Sequence, residues 1–334
     1  MQNILVIGGA GYIGSHAAKC LKQKGYNPIV LDDLSTGHRR SVLFGDFVEA
    51  SYCDKDAVAS TLKKYQIQTV MHFGAKALVG ESIENPLYYY RENVGGANSL
   101  LEAMKEAQVN RIIFSSTCAT FGEPSGVPIH ERLPQNPVNP YGQTKLVVEK
   151  MLADADRAHG IKYVILRYFN AAGADPEGQL GEDHQPETHL IPRVLQSCLG
   201  IEKQFKVFGN DYATPDGSCV RDYVHVNDLA AAHLKAIEYL NQNNTSNDFN
   251  LGTENGYSVF QIVDEVEKVT GKKVPYTLAP RRIGDPAVLV ADARKAKETL
   301  SWTPNYSLQE IISTAYQWHR KAIQTKSESP QLHL

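Results

Sequence analysis

Asn3-Ile-Leu-Val-Ile-Gly-Gly-Ala-Gly-Tyr-Ile-Gly14 decides how the rest of the chain is read. Ile4 to Ile7 is an unbroken apolar run, as expected of a strand covered on both faces, and Gly8, Gly11 and Gly14 follow at once. A strand therefore breaks into a helix here. Gly8 permits the tight turn, Gly11 the close approach of a phosphate, and Gly14 close packing of helix on strand. The helix start, with unpaired N–H groups and the positive end of the dipole, suits a pyrophosphate. A second apolar run, Ile29-Val-Leu31, ends in Asp32, 18 residues beyond Gly14. A carboxylate near that distance bonds the adenosine ribose hydroxyls and favours NAD over NADP. A glycine pattern alone is weak; here the strand before it, the helix after it and the acid beyond all agree.

Further on, strand-like runs recur at 29–31, 47–52, 69–73, 111–115 and 163–167, with helical patterns such as 57–65 and 97–107 between them. The alternation predicts an α/β fold, a Rossmann-type doubly wound parallel sheet over 1–173 with ligands at the carboxyl ends of its strands. Gly74-Ala75, Ser115-Ser116-Thr117 and Phe169-Asn170 stand at three such ends. Residues 173–186 are rich in Gly, Pro, Asp and Glu and read as a loop leaving that domain. A smaller α+β portion is expected over 174–334, built from a helix at 190–199, strands at 205–208 and 249–251 and a helix at 259–270. The stretch 222–240 is expected to return to the first domain. The polar tail from Gln324 is expected to fray.

Composition narrows the function. With 334 residues, 42% hydrophobic and 21% charged, the chain can bury a large core. A net charge of -3 and a pI near 6.4 predict no nucleic-acid or membrane-surface partner. No apolar run is long enough to span a bilayer and no basic signal segment opens the chain, so a cytoplasmic location is expected. The five cysteines are scattered and read as reduced. The histidines show no His-x-x-x-His or comparable ligand spacing, and no metal is expected.

Tyr141-Gly-Gln-Thr-Lys145 is the candidate catalytic constellation. Tyrosine and lysine at i and i+4 share a helix face and can reach one ligand. After a nucleotide-binding half-sheet and a hydroxyl-rich strand end at Thr117, they complete a Thr-Tyr-Lys triad. A tyrosine titrates near pH 10, so serving as a base at neutral pH needs a lowering of about 3 units, or about 4 kcal/mol. A lysine cation about 6 Å away supplies roughly 3 kcal/mol at an effective dielectric of about 20. The positive nicotinamide ring is expected to supply the remainder.

The G-x-x-G-x-x-G spacing resembles the extended short-chain dehydrogenase/reductase superfamily. His72-Phe-Gly74, Val79-Gly-Glu-Ser82, Phe114-Ser-Ser-Thr117, Pro140-Tyr-Gly142, Leu166-Arg-Tyr-Phe-Asn170, Phe208-Gly-Asn-Asp211, Val220-Arg-Asp-Tyr-Val-His225 and Arg281-Arg-Ile-Gly-Asp285 resemble, in order and over nearly the whole chain, the UDP-glucose 4-epimerase family. The resemblance implies a homodimer that interconverts UDP-glucose and UDP-galactose by oxidation at sugar carbon 4, rotation of a 4-keto sugar and hydride return. It implies that Tyr141 moves the proton of the 4-hydroxyl, directly or through Thr117, while Lys145 holds the nicotinamide ribose. NAD contacts are implied for Gly8, Gly11, Tyr12, Ile13, Gly14, Asp32, Asp33, Ser51, Tyr52, Phe73, Gly74, Asn93, Ser115, Tyr141, Lys145 and Tyr168. On the substrate side it implies Arg221 and Arg282 at the diphosphate, Asp285 at the uridine ribose and Phe208 at the uracil face. Thr117, Tyr141, Phe169, Asn170, His189, Leu190 and Tyr223 complete that implied site, and Leu289 gates sugar carbon 2.

The chain departs from the family pattern in places. Ala50-Ser51 replaces a common Gly-Asp, Lys76 is displaced by one from the usual lysine, and His189 replaces a frequent asparagine. Leu289 is intermediate in size, which leaves UDP-N-acetylglucosamine open as a second or main substrate. A nucleotide-sugar 4,6-dehydratase would need carboxylates where Cys118-Ala119 stands. A silent NAD-sensing protein would not need the intact triad.

Overall fold

The computed structural model describes residues 1–282 and 284–328, with side-chain surroundings as far as Lys321. In chain order the elements are β1 (Asn3–Ile7), α1 (Tyr12–Gln23), β2 (Asn27–Asp32), β3 (Asp46–Glu49), α2 (Lys55–Lys64), β4 (Thr69–His72), α3 (Val79–Glu84) and α4 (Pro86–Tyr89). A π-helical stretch, Tyr90–Gly95, runs on into α5 (Gly96–Glu106). Then come β5 (Arg111–Thr117), α6 (Pro140–His159), β6 (Lys162–Tyr168), β7 (Asn170–Ala172), α7 (Leu190–Cys198), β8 (Phe205–Phe208), β9 (Val220–His225) and α8 (Val226–Asn243). The chain continues with β10 (Asn247–Leu251), β11 (Gly256–Ser258), α9 (Val259–Thr270), β12 (Tyr276–Ala279), β13 (Val288–Leu289), α10 (Arg294–Leu300) and α11 (Leu308–Glu328).

Seven parallel strands form the main sheet in the order β10-β6-β5-β4-β1-β2-β3. Ile4, Leu5, Val6 and Ile7 are wholly buried because helices cover both faces of β1, and each such side chain contributes about 1.5–3 kcal/mol. Alternate residues feed separate cores. Ile4 and Val6 join α1 and α8, whereas Leu5 and Ile7 join the side chains of α2, α5 and α6. The strand order reverses between β1 and β4, so a crevice opens at their carboxyl ends. The loops after these strands nearly touch: a Cβ on Gly8, whose φ is +75°, would lie 2.6 Å from the Gly74 nitrogen.

Beside this sheet lie β11, β9 and β13, with β7 also on β9, and a separate pair, β8 and β12. A third core, including Val194, Leu195, Val207, Ile262 and Ile312, is built from α7, β8, β9, α9 and α11.

Three expectations need correcting. The stretch 222–240 does not return whole to the first domain: β9 stays in the second sheet and only α8 returns, packing on α1, β5 and β6. Phe249 to Leu251, expected in the smaller portion, are part of β10, the edge strand of the main sheet, because α8 delivers the chain to β6. The run at 47–52 ends as strand at Glu49, since Ser51 accepts the Cys53 N–H and starts the turn into α2. Of the tail from Gln324, the backbone continues α11 to Glu328, and the remainder lies outside the described residues.

Candidate active site

Helix α1 begins at Tyr12 with Gly11 as its cap; no side chain caps it and its first turn holds no acid. Its first N–H groups therefore point free toward the crevice, the condition for binding an anion. Space is made by absent side chains: a Cβ on Gly14 would lie 2.3 Å from the Gly8 carbonyl oxygen. Asp32, at the end of β2 and almost buried, accepts the Ala10 and Leu34 N–H groups at 3.0 and 2.8 Å. A carboxylate has about four acceptor positions, so room remains for ribose hydroxyls. Uncapped helix, missing side chains and held carboxylate together fit the diphosphate and ribose of NAD.

Helix α6 sets the second half. Asn139 caps it by accepting the Gly142 N–H at 2.8 Å, and Pro140 occupies the first turn, where its missing N–H costs nothing. The start of the helix is thus fixed just before Tyr141. A Cβ on Gly142 would stand 2.5 Å from the Ala119 oxygen, so glycine lets α6 press against the turn that follows Thr117. Burial pushes the Tyr141 phenol above its ordinary value, and the neighbouring Thr117 side chain opposes that shift. Lys145 is buried, donates to the Ser115 carbonyl at 2.8 Å and lies 4.8 Å from the centre of the Phe114 ring. Burial lowers its ammonium to about 7, against the pull of Glu149. Burial disfavours the charged form of both groups, so the partial lowering of Tyr141 expected from the Lys145 cation does not appear in the protein by itself.

One more turn along α6, Glu149 is a residue the sequence reading missed. It accepts both Nε and Nη2 of Arg167 at 2.9 and 2.7 Å and the Ser116 hydroxyl at 2.5 Å, all buried. Asp248 completes the group, 2.6 Å from Arg167 Nη1. The i, i+4, i+8 series Tyr141, Lys145, Glu149 was the available signal.

Other expected cofactor residues surround the crevice. Phe73 packs beside His233, 4.6 Å between ring centres, and Ser115 shares a hydrogen bond with His233 Nε2 at 3.0 Å. Burial raises Tyr168 to about 12, with the nearby Ser115 opposing. The Tyr12 hydroxyl donates to Gly173, Ile13 follows in the same turn of α1, and Asp33 accepts the Ser35 N–H. Tyr52 and Asn93 prove to be held by the chain itself. Tyr52 donates to Glu92, while the Asn93 amide bridges Lys76 and Thr144 and shapes the loop after Gly74. Lys76 reaches across to Ser35 at 2.9 Å.

The expected substrate residues fall into two groups. Phe169 and Leu289 pack with Cys118 and Ile129 beside Thr117, and Asn170 donates to Asp222 at the start of β7. Tyr223, on β9, is nearly buried, and Leu190 opens α7. The second group makes contacts within the chain. Arg221 forms an ion pair with Asp285 and also donates to Val220 and Pro286, so neither side chain stands free. Arg282 lies 4.2 Å above the Phe208 ring and covers the face expected to receive a base. His189 does not stand as an amide-like contact; its Nδ1 faces Glu182 and Glu187 at 2.8 and 2.9 Å. Cys118 is buried and its thiol is pushed up to about 12, which suits no proton transfer.

The chain matches the model of the NAD dependent epimerase/dehydratase family over residues 4–252. It is 50% identical over 321 residues to the UDP-glucose 4-epimerase of Lactobacillus helveticus, covering 96% of this chain and 97% of that one. The crystal structure of UDP-glucose 4-epimerase from Brucella ovis in complex with NAD matches with a TM-score of 0.93 at 51% identity, covering 95% of this chain and 98% of that one. A UDP-glucose-4-epimerase from Stenotrophomonas maltophila, with bound NAD and formylated UDP-arabinopyranose, matches with a TM-score of 0.94 at 38% identity, covering 97% and 100%.

Proposed function

The chain belongs to the NAD dependent epimerase/dehydratase family, and from that premise we propose that it is an isomerase interconverting UDP-glucose and UDP-galactose. The observation that carries the reading is the convergence of Thr117, Tyr141 and Lys145 at the carboxyl edge of the sheet that also bears the uncapped start of α1. NAD, held by the α1 turn and Asp32, would supply the hydride acceptor and donor for sugar carbon 4. Tyr141 takes the 4-hydroxyl proton, directly or through Thr117, and returns it after the 4-keto sugar has turned over. Lys145 binds the nicotinamide ribose. Since burial alone makes Tyr141 a poor base, positive charge brought beside it is required for this step.

Tight holding of the nucleotide and loose holding of the hexose suit such a rotation. We assign the diphosphate to Arg221 and Arg282, with Asp285 orienting Arg221, and the uracil to the Phe208 ring after Arg282 swings off it. Leu289 bounds the space at sugar carbon 2. The cofactor-bearing portion is assigned to 1–173 with 226–251, and the nucleotide-sugar portion to the rest. Five unpaired cysteines support a cytoplasmic setting, and no described helix is long and apolar enough to cross a membrane. The exposed apolar residues Val79, Ile83, Leu87 and Tyr90 support pairing of two copies through this helical side.

The test is incubation of purified protein with UDP-galactose followed by chromatography. UDP-glucose is the expected product. A 4-keto-6-deoxy sugar would replace this reading by a dehydratase, and absence of any turnover would leave a nucleotide-binding protein.

A further inference from the structure

Two Glu-x-His units stand five residues apart, Glu182-Asp-His184 and Glu187-Thr-His189, in the loop that leads into α7. Neither unit has the His-x-x-x-His spacing that marks a metal site in a sequence, and no metal is expected from spacing alone. The fold closes it into one cluster. Nδ1 of His184 lies 3.1 Å from Oε1 of Glu182 and 3.7 Å from Oε2 of Glu187. Nδ1 of His189 lies 2.8 and 2.9 Å from the Oε1 atoms of the same two carboxylates. One donor atom from each residue lies within 4.8 Å of every other.

These separations match a coordination shell. Bonds of about 2.1 Å in a tetrahedron place neighbouring ligand atoms about 3.4 Å apart, inside the range seen. Both imidazoles turn the same nitrogen inward. The Glu182 and Glu187 side chains are 4% and 6% exposed, yet among the described residues no lysine or arginine pairs with either. Two carboxylates so far from water require positive charge between them, which here falls to the two imidazoles or to a cation that replaces their protons. The imidazoles, 32% and 49% exposed, leave a way in for an ion.

The surroundings hold the ligands in place. Trp318 donates to the Glu182 carbonyl at 2.9 Å, and the Thr188 and His189 N–H groups both donate to Glu187 Oε1 at 2.8 Å. The His184 ring meets Tyr12 edge to face, 6.1 Å between centres. A small cavity between the first turn of α1 and Gly181, Asp183 and His184 adjoins the cluster. We propose that Glu182, His184, Glu187 and His189 bind a divalent cation of the zinc class, which fixes the start of α7 against the cofactor-binding turn. Two nitrogen donors disfavour magnesium and calcium, and four protein ligands make the site structural rather than catalytic.

The probe is cobalt(II) added to the NAD-containing protein after dialysis against a chelator. One equivalent is expected to give the intense visible absorption of tetrahedral cobalt, which zinc then abolishes, and zinc is expected to raise the melting temperature. His184→Gln and Glu187→Gln are each expected to weaken binding at least about tenfold while retaining NAD. Asp183→Asn, which changes no ligand, is expected to bind as the parent does. Failure of the parent protein to take up cobalt or zinc stoichiometrically would overturn the proposal, whatever the variants do. So would uptake that His184→Gln and Glu187→Gln leave unchanged, which would place the ion elsewhere.

Discussion

Replacing Lys145 by methionine is expected to stop turnover and, in acid, to stabilise the fold. Lys145 is 3% exposed and burial lowers its ammonium to about 7, from an ordinary value near 10.5. The unfolded chain therefore binds more protons than the folded one between these values, and stability rises with pH across that window. At pH 6 both states carry the proton, and holding it in the folded protein costs about 4–5 kcal/mol; at pH 10 the folded amine is neutral and the cost falls to about 1 kcal/mol. Methionine keeps the stem and removes the charge, but loses the charged hydrogen bond to the Ser115 carbonyl, which contributes about 1.5–3 kcal/mol. The variant should then be more stable than the parent by about 2 kcal/mol at pH 6, and that advantage should vanish by pH 10, where the parent's amine is neutral and its hydrogen bond is worth only about 1 kcal/mol. Urea denaturation of nucleotide-free protein, followed by circular dichroism at pH 6, 8 and 10, measures this. A stability difference between the two proteins that stays constant with pH, or favours the variant more at pH 10, refutes the reasoning.

Tyr141→Phe is expected to abolish turnover of UDP-galactose while retaining NAD, read from the absorbance of released nucleotide; unchanged activity removes Tyr141 from the chemistry. Gly14→Ala would thrust a Cβ to within 2.3 Å of a backbone oxygen, so the turn must shift at a cost of about 1–3 kcal/mol. NAD content after purification should fall, and full content would contradict the assignment of that turn. Arg167→Met leaves the buried Glu149 with only hydroxyl and amide partners, costing about 3–5 kcal/mol. Arg157→Met, at an exposed pair, should cost less than about 1 kcal/mol, and equal melting temperatures for the two variants would refute the contrast.

The readable parts of the sequence were those where local chemistry and global position coincide. Ile4 to Ile7 followed by Gly8 could be little other than a buried strand and a tight turn, and Tyr141 and Lys145 announce a shared face by spacing alone. The rest depended on partners distant in sequence. Phe249 to Leu251 is a short run preceded by Asn247-Asp248, and nothing local says which sheet it joins; the docking of α8 decides that. Arg221 and Asp285 each read as ligand contacts, whereas their mutual pairing arises from β13 lying beside β9. Glu149 was passed over because a single glutamate on a helix is ordinarily solvated, and only Arg167, from the neighbouring strand, makes it a buried charge.

The polypeptide passes between the two larger sheets with almost no slack: one residue, Phe169, separates β6 from β7, and β9 runs straight into α8. With connections this short, any change in the angle between the two sheets has to be taken up at the backbone of Phe169 and at the junction of His225 with Val226. Those two points lie next to Thr117's neighbour in the sheet, Tyr168, and to Tyr223, so a residue that stiffens either junction would be felt at the walls of the site before anywhere else.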